Sequence, residues 1–328
     1  MELNAIFETL NETIDISLSY LISSKRRTYF IYLITSVLLA YYVYQKSKIK
    51  QSFLQYLFPK NVWLGKSAFV DYGILIFNSF FKVIFIGPYL ILGLYIAFYT
   101  NEFLLEKFGY TSFNLGKTET IIYYTIALTV IGDFFTYLIH LSMHKVPFLW
   151  EFHKVHHSAT ELNPFTQYRI HPVELLINNA KSLFVFGVLT GVFDYLSNHQ
   201  VNKLLFLGVN VFGFLFMFLG ANLRHSHIKL TYPTFIEKLL ISPFQHQIHH
   251  SNSPDHFDKN MGSKFAVWDW IFGTLVLSKS TQNVVFGIDE SYDKFSTIWG
   301  NIASPFTNIF KMIRKVLMKL NNSQKKKN

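Results

Sequence analysis

Apolar residues fall along this chain in long runs, not in the strict alternation of a half-buried strand or the narrow stripe of a surface helix. Residues 28–45 (YFIYLITSVLLAYYVYQK) are apolar for long enough to span a hydrocarbon core, which takes about 20 residues of helix. Residues 72–99 form a second run, longer than one span needs, with Lys82 and Pro88 inside it, and predict one kinked helix or a short hairpin. A third run, 121–139, leads directly into the first histidines. Two more, 174–196 and 203–221, are separated by the polar turn Ser197-Asn198-His199-Gln200. No repeat of solenoid period is visible. The pattern predicts an all-α fold, a polytopic membrane helical bundle. It divides into membrane-anchoring helices over 1–120, a histidine-bearing region with its own spans over 121–285, expected below to be the catalytic domain, and a basic tail over 286–328.

Charge at the edges of these runs predicts their orientation. Residues 46–70 carry five lysines, whereas 100–120 are roughly balanced. The positive-inside rule then places 46–70 in the cytoplasm and 100–120 outside. Run 121–139 returns to the cytoplasm and delivers His140 and His144 there; the 174–221 pair goes out and back, bringing His225 to the same face. Lys25-Arg26-Arg27, at the other end of the first run, argues for the opposite orientation. The histidines share one membrane face either way. The expectation is a cytosol-facing histidine domain, in the endoplasmic reticulum of a eukaryote or the inner membrane of a bacterium.

Composition agrees with a bilayer as part of the solvent. Half of the 328 residues are apolar, 18% are aromatic and only 15% are charged, where soluble domains carry about a quarter charged. The net charge of +10 invites a nucleic-acid reading, but the basic residues flank apolar runs and form no aromatic-interleaved patch, so a membrane is the expected partner and nucleic acid is not. The first 24 residues contain four acidic and no basic side chains, unlike a secretory signal peptide. Cysteine is absent, which excludes disulfides, thiolate zinc sites, iron–sulfur clusters and thiol catalysis. Any metal must be held by nitrogen or oxygen.

Thirteen histidines supply the nitrogen. His140 and His144 are four apart. His153, His156 and His157 form HxxHH, as do His246, His249 and His250. His225 and His227 are a close pair, while His171, His199 and His256 stand alone. Positions i, i+3 and i+4 share one side of a helix, so each HxxHH offers three imidazoles in one direction. At this histidine frequency two independent HxxHH matches arise by chance at roughly the 10⁻⁴ level. Eight or more converging imidazoles suggest two metals. His140 and His144 close an apolar span, where ionisable residues are costly and default to function. His199 and His256 read as interfacial or hydrogen-bonded residues. All-imidazole sites suit zinc, copper, iron or nickel. The HExxH of zinc hydrolases and the ExxH pairs of carboxylate di-iron bundles are both absent.

These residues resemble the sterol desaturase/fatty acid hydroxylase superfamily. The likeness is carried by Asp133-Phe-Phe-Thr-Tyr-Leu-Ile-His140, His144-Lys-Val-Pro147 through His153-Lys-Val-His156-His157, Tyr168-Arg-Ile-His171-Pro172-Val-Glu174 and Arg224-His225-Ser226. It continues through Ser242-Pro243-Phe-Gln-His246-Gln-Ile-His249-His250, Asp258-Lys-Asn260-Met-Gly262 and Trp268-Asp269 to Gly273-Thr274, covering about 130–275 in order. The resemblance implies a cytosol-facing di-iron centre that uses O₂ and external electrons to hydroxylate a C–H bond of a lipid. Its implied ligands are His140, His144, His153, His156, His157, His171, His225, His246, His249 and His250. His227 falls where relatives often carry Asn, which favours His225. Asp133, two helical turns before His140, is placed to orient an imidazole, and Asp269 to hold the closing helix. No His-Pro-Gly-Gly haem motif or strand-linked GxGxxG is present, so the electrons are expected from a separate protein, cytochrome b5-like or a ferredoxin with its reductase. Desaturation at the same site is the first alternative. Metal transport is the second, disfavoured because the histidines sit at one end of the spans. The lipid itself, sterol, fatty acyl or another, has no local signature.

Overall fold

The computed structural model describes residues 2–325 except 112–114, 199–200, 204, 207–208, 282 and 289–291; His199 and the tail lysines Lys326 and Lys327 lie outside the described residues. The helices are α1 (Glu2–Ile22), α2 (Phe30–Lys46), α3 (Phe53–Leu57), α4 (Lys60–Leu64), α5 (Lys66–Phe85), α6 (Leu92–Phe108), α7 (Lys117–Lys145) and α8 (Pro147–His157). They continue with α9 (Pro172–Leu196), α10 (Val211–Phe218), α11 (Thr234–Glu237), α12 (Pro243–His249), α13 (Val267–Phe272), α14 (Tyr292–Phe295) and α15 (Ile298–Lys325). Among the described residues the only sheet is a two-residue antiparallel pair, Leu205↔Asn210 and Phe206↔Val209.

Four helical stretches are long and apolar enough to cross a membrane: Lys66–Phe85, Gly87–Phe108, Lys117–Lys145 and Pro172–Leu196. The fold is thus an all-helical one with several candidate spans. Helices α6, α7 and α9 pack as a bundle. Small residues let the backbones of α6 and α9 approach: a Cβ at Gly187 would lie 2.6 Å from Ile96 Cβ, and one at Gly191 2.4 Å from the Ala97 carbonyl oxygen. Asn101 donates to Asp194 at 2.5 Å near the end of the bundle remote from the histidines, and Tyr124 shares a 2.6 Å hydrogen bond with Thr190.

The runs at 72–99, 28–45 and 203–221 take the following forms. The 72–99 run breaks at a 3-10 turn over Gly87–Tyr89, where Pro88 cannot continue a helix, and its halves belong to α5 and α6. The 28–45 run forms α2, whose two ends both lie against the histidine domain. Arg27, just before it, lines a cavity with His140 and His225, and Ala40, toward its end, packs with Leu223 and Ile228. The 203–221 run is not one helix. Asn210 starts α10 late, its side chain accepting from the N–H groups of Phe212 and Gly213, and Gly220, at φ 92°, ends it early. The eight residues of α10 rise only about 12 Å, too little to cross.

The 286–328 segment, expected as a tail, includes the 28-residue α15, which packs on α8. Asn308 of α15 donates to Glu151 at 2.8 Å. Arg169 ties the surrounding elements together: its fully buried guanidinium donates to the carbonyls of Val155 (3.1 Å) and Phe295 (2.9 Å) and pairs with Asp71 at 3.4 Å.

Candidate metal centre

Nine histidines converge into two groups. One holds His140, His144, His153, His157 and His249; the other holds His156, His225, His246 and His250. Within each group the potential donor nitrogens all lie within 4.8 Å of one another. The two HxxHH motifs are shared reciprocally. The i and i+4 imidazoles of α8 (His153 and His157) join the first group while its i+3 member, His156, joins the second. On α12 and its C-cap, His246 and His250 join the second group while His249 joins the first. Helical geometry accounts for this: at about 100° per residue, i and i+4 point some 40° apart, whereas i+3 lies about 60° to the other side of i. The groups share a wall, with the rings of His157 and His250 stacked at a centroid distance of 4.5 Å.

Local sequence chemistry fixes the two motif helices. Helix α8 starts with Pro147 at N1, where the missing N–H costs nothing. Helix α12 starts with Pro243 and a capping box, in which the Ser242 hydroxyl accepts from the Gln245 N–H and the Gln245 side chain accepts from the Ser242 N–H. The rings are then turned from behind. His140 Nδ1–H donates to the Met261 carbonyl at 2.7 Å and His249 Nδ1–H to the Lys259 carbonyl at 2.8 Å. His153 Nδ1 lies 3.0 Å from Glu174 Oε1, off the line of a good hydrogen bond, and His144 Nδ1 lies 3.6 Å from Asp258. Each partner leaves Nε2 with its lone pair facing inward. The two carbonyls sit on a tight loop in which the residue before each, Asp258 (φ 57°) and Asn260 (φ 52°), adopts the left-handed conformation that Asp and Asn tolerate best.

The spacing of the Nε2 atoms fits a shared metal ion and does not fit shared protons. His225 Nε2 lies 3.2 Å from each of His156, His246 and His250 Nε2, and His246 and His250 are themselves 3.2 Å apart. In the first group, His140 and His153 Nε2 face each other at 3.0 Å. Protons cannot bridge so many contacts at once, because each N–H serves one. A cation with bonds of about 2.0–2.1 Å holds imidazole nitrogens about 2.9–3.4 Å apart in tetrahedral or octahedral arrangements. His144, His157 and His249 Nε2 are buried without any hydrogen-bond partner, as metal donors would be.

Burial first, and neighbouring imidazoles next, hold His156, His157, His225, His246, His249 and His250 well below the ordinary imidazole value. They stay neutral, the form that binds metal. The linkage has a definite sign. Unfolded imidazoles take up protons below about pH 6.5, which the folded ones resist, so stability falls as pH drops through that value. The melting temperature of chelator-stripped protein should decline steadily from about pH 8 to about pH 5. A flat profile there would contradict this account of the histidines.

Other predicted residues fall elsewhere. His171 enters neither group: it is the N-cap of α9, its Nδ1 accepting from the Val173 N–H at 3.1 Å while Nε2 bonds the Ile302 carbonyl at 3.1 Å, so both nitrogens are occupied. Asp133 orients no imidazole. Its carboxylate accepts from the N–H groups of Lys264 and Phe265 and from Trp268 Nε1, each at 3.1 Å, and so ties α7 to the segment entering α13. His227 turns away, Nε2 bonding the Tyr56 carbonyl at 2.6 Å, whereas its neighbour His225 sits at the middle of the four-histidine group. Asp269 acts at one remove: it accepts from the N–H groups of Met261 (2.7 Å) and Gly262 (2.8 Å), fixing the carbonyl that turns His140. His256 bonds Thr281 at 3.0 Å, outside both groups. The supporting parts that sequence reasoning assigned no role are Glu174, Asp258 and the 259–261 carbonyls. The two carbonyls left no side-chain signal to read.

Two cavities reach the centre. One of about 330 Å³ opens on the five-histidine group between Trp150, Lys154, Phe257 and Asp258. The other, about 120 Å³, lies between α7 and α9 and touches imidazoles of both groups.

With the geometry established, comparison with known proteins is direct. Residues 125–274, which contain all nine histidines, match the fatty acid hydroxylase family. The chain is 26% identical to alkylglycerol monooxygenase of Caenorhabditis elegans over 167 residues, covering 51% of this chain and 30% of that protein. It is 26% identical to the Homo sapiens alkylglycerol monooxygenase over 190 residues, 58% of this chain and 38% of that protein. With the ornithine lipid hydroxylase OlsE of Rhizobium tropici it shares 28% over 181 residues, 54% of this chain and 49% of that protein. The chain thus aligns with less than half the length of these relatives. No solved structure matches it. The part of the chain that builds both histidine groups is thus the part that matches the fatty acid hydroxylase family.

Proposed function

We propose that this protein is a membrane-bound di-iron monooxygenase that hydroxylates a C–H bond of a lipid. The observation that carries the reading is the pair of interleaved all-imidazole groups at the foot of apolar helices. The reaction balances as R–H + O₂ + 2 e⁻ + 2 H⁺ → R–OH + H₂O, with the electrons supplied by a separate electron-transfer protein. Bound iron would supply the redox chemistry that dioxygen requires. His140, His144, His153, His157 and His249 would hold one ion and His156, His225, His246 and His250 the other.

The chain itself supplies orientation and dryness. Backbone carbonyls fix the ring tautomers of His140 and His249, burial keeps His156, His157, His225, His246, His249 and His250 neutral, and the absence of carboxylates in the donor set would leave bound ions strongly electrophilic. The relatives' names, an alkylglycerol monooxygenase and an ornithine lipid hydroxylase, support a lipid substrate and favour hydroxylation over desaturation. An apolar groove of about 360 Å³ between Phe85, Tyr89, Leu92 and Leu183 suits an acyl or alkyl tail. The lysine-rich 46–70 segment packs on the histidine side, with Tyr56 and Leu57 against Leu223, whereas Leu115 bonds Leu196 at the far end of α9. That distribution supports a cytoplasmic histidine domain, in the endoplasmic reticulum of a eukaryotic host or the inner membrane of a bacterial one.

Turnover under ¹⁸O₂ with a reductant, followed by mass spectrometry of the lipids, tests the reaction. One ¹⁸O atom in a new lipid alcohol is expected. An alkene without label would replace hydroxylation by desaturation. Glu174→Ala should weaken metal retention about 10–100-fold in chelator competition, because His153 loses its orienting partner. Retention equal to the wild type would remove Glu174 from the site.

A further inference from the structure

The cavity that touches both histidine groups is cationic before any metal is counted. Arg27 and Arg224 line it together with Gln167, Asn178 and Thr136, and Glu174 is its single acidic lining residue. Glu174 Oε1 lies 3.0 Å from His153 Nδ1, and its Oε2 is buried without a hydrogen-bond partner. Arg224 is 2% exposed; it donates through Nε to the Ala221 carbonyl and through Nη1 to the Ser263 carbonyl, with no acidic partner. Arg27 makes no hydrogen bond or ion pair among the described residues. Its neighbour Arg26 is engaged, stacked on Tyr20 at 4.8 Å and bonded to Ser19. Thr28, fully buried, holds the intervening backbone by donating to the Tyr20 carbonyl at 2.7 Å and contacting the Tyr168 hydroxyl at 3.2 Å. Arg27 is thus presented to the cavity by a fixed turn. Asp133 attracts it through space but already accepts three N–H bonds.

Behind these guanidiniums stand Lys181, which donates to Thr136 at 2.8 Å, and Lys264, 3.6 Å from Asp133. Two divalent ions would add further positive charge. A cavity of this sign, with two planar guanidiniums against the single carboxylate of Glu174, matches an oxyanion. Its volume of about 120 Å³ holds a phosphate or carboxylate and a few carbons but not a lipid tail.

We propose that this cavity binds the anionic group, phosphate or carboxylate, of the lipid that is oxidised, with Arg27 as the principal contact and Arg224 beside it. The proposal rests on the lipid-oxidising reading and deepens it. It places the oxidised carbon within a few bonds of the charged group, since the same small cavity touches both histidine groups. Arg27 precedes the family-matched region, so this selectivity is built by the chain's N-terminal segment.

The test is binding measured apart from turnover. Metal-loaded full-length protein in a neutral detergent, kept free of dioxygen, is titrated calorimetrically with lysophosphatidate, lysophosphatidylcholine, a monoacylglycerol and a free fatty acid of one chain length, and with inorganic phosphate. An anionic lipid should bind about 10–100-fold more tightly than the monoacylglycerol. Arg27→Gln should erase that preference and Arg27→Lys should keep part of it. Equal affinity for the anionic and neutral lipids, or an undiminished preference in Arg27→Gln, overturns the proposal. So does inorganic phosphate binding as tightly as the lipid, which would assign the cavity to the free ion. Reductant-driven O₂ uptake on the same lipids separates the two levels. Uptake indifferent to headgroup charge, with equal binding, overturns the headgroup inference and leaves the oxygenase reading intact. Arg27-dependent binding without uptake on any lipid supports the cavity assignment and removes the oxygenase reading.

Discussion

Replacing His249 and His250 together by alanine is expected to empty both metal positions at once and lower O₂ uptake by at least about 100-fold. The two residues are adjacent in sequence but serve different groups, so the double variant takes one donor from each. The single variants should differ. His249→Ala leaves four imidazoles in its group, whereas His250→Ala leaves three and also removes the ring stacked on His157. His250→Ala should therefore lose metal more completely. Metal analysis per chain, with circular dichroism to confirm retained helix, checks the ordering. Equal metal content in wild type and double variant would show that the histidines do not hold the ions.

Arg169→Ala is expected to destabilise the protein by about 3–5 kcal/mol, through a buried charge left unpaired. Asp71 is fully buried, and it would keep Thr166 at 2.6 Å and Asn163 at 3.0 Å but lose its cation. The Val155 and Phe295 carbonyls would lose their donors in the same step. Val155 lies between the ligand candidates His153 and His156, so metal retention should fall with stability. Asp71→Leu combined with Arg169→Met should cost less than Arg169→Ala alone, because no charge is then stranded. Thermal unfolding of the purified variants reads both effects. A double variant no more stable than Arg169→Ala would assign the loss to the carbonyls instead of to the ion pair.

The donor positions were legible because metal ligation imposes a helical repeat, and HxxHH writes that repeat into the chain. Their division between two groups was not, because it depends on how α8 and α12 face each other. His171 shows the limit of motif mapping. Pro172 occupies N1 of α9, which makes residue 171 an N-cap, and capping takes the nitrogen that a metal would need. Asp133 stands two turns before His140, yet its lone pairs go to the 264–268 segment, which is remote in sequence. Hydropathy located four helices long enough to span but misread the 203–221 run. That run is apolar although Asn210 and Gly220 confine its helix to eight residues. The cationic cavity was hidden because Arg27 and Arg224 are brought together only by folding.

The most direct test of the central claim is the metal content of the full-length protein purified without added chelator. The account predicts close to two irons per chain, together with reductant-driven, lipid-dependent O₂ uptake that disappears when the iron is stripped and returns when it is restored. Stoichiometric zinc, with no uptake after iron reconstitution, would contradict it and leave the two histidine groups as a structural or hydrolytic site.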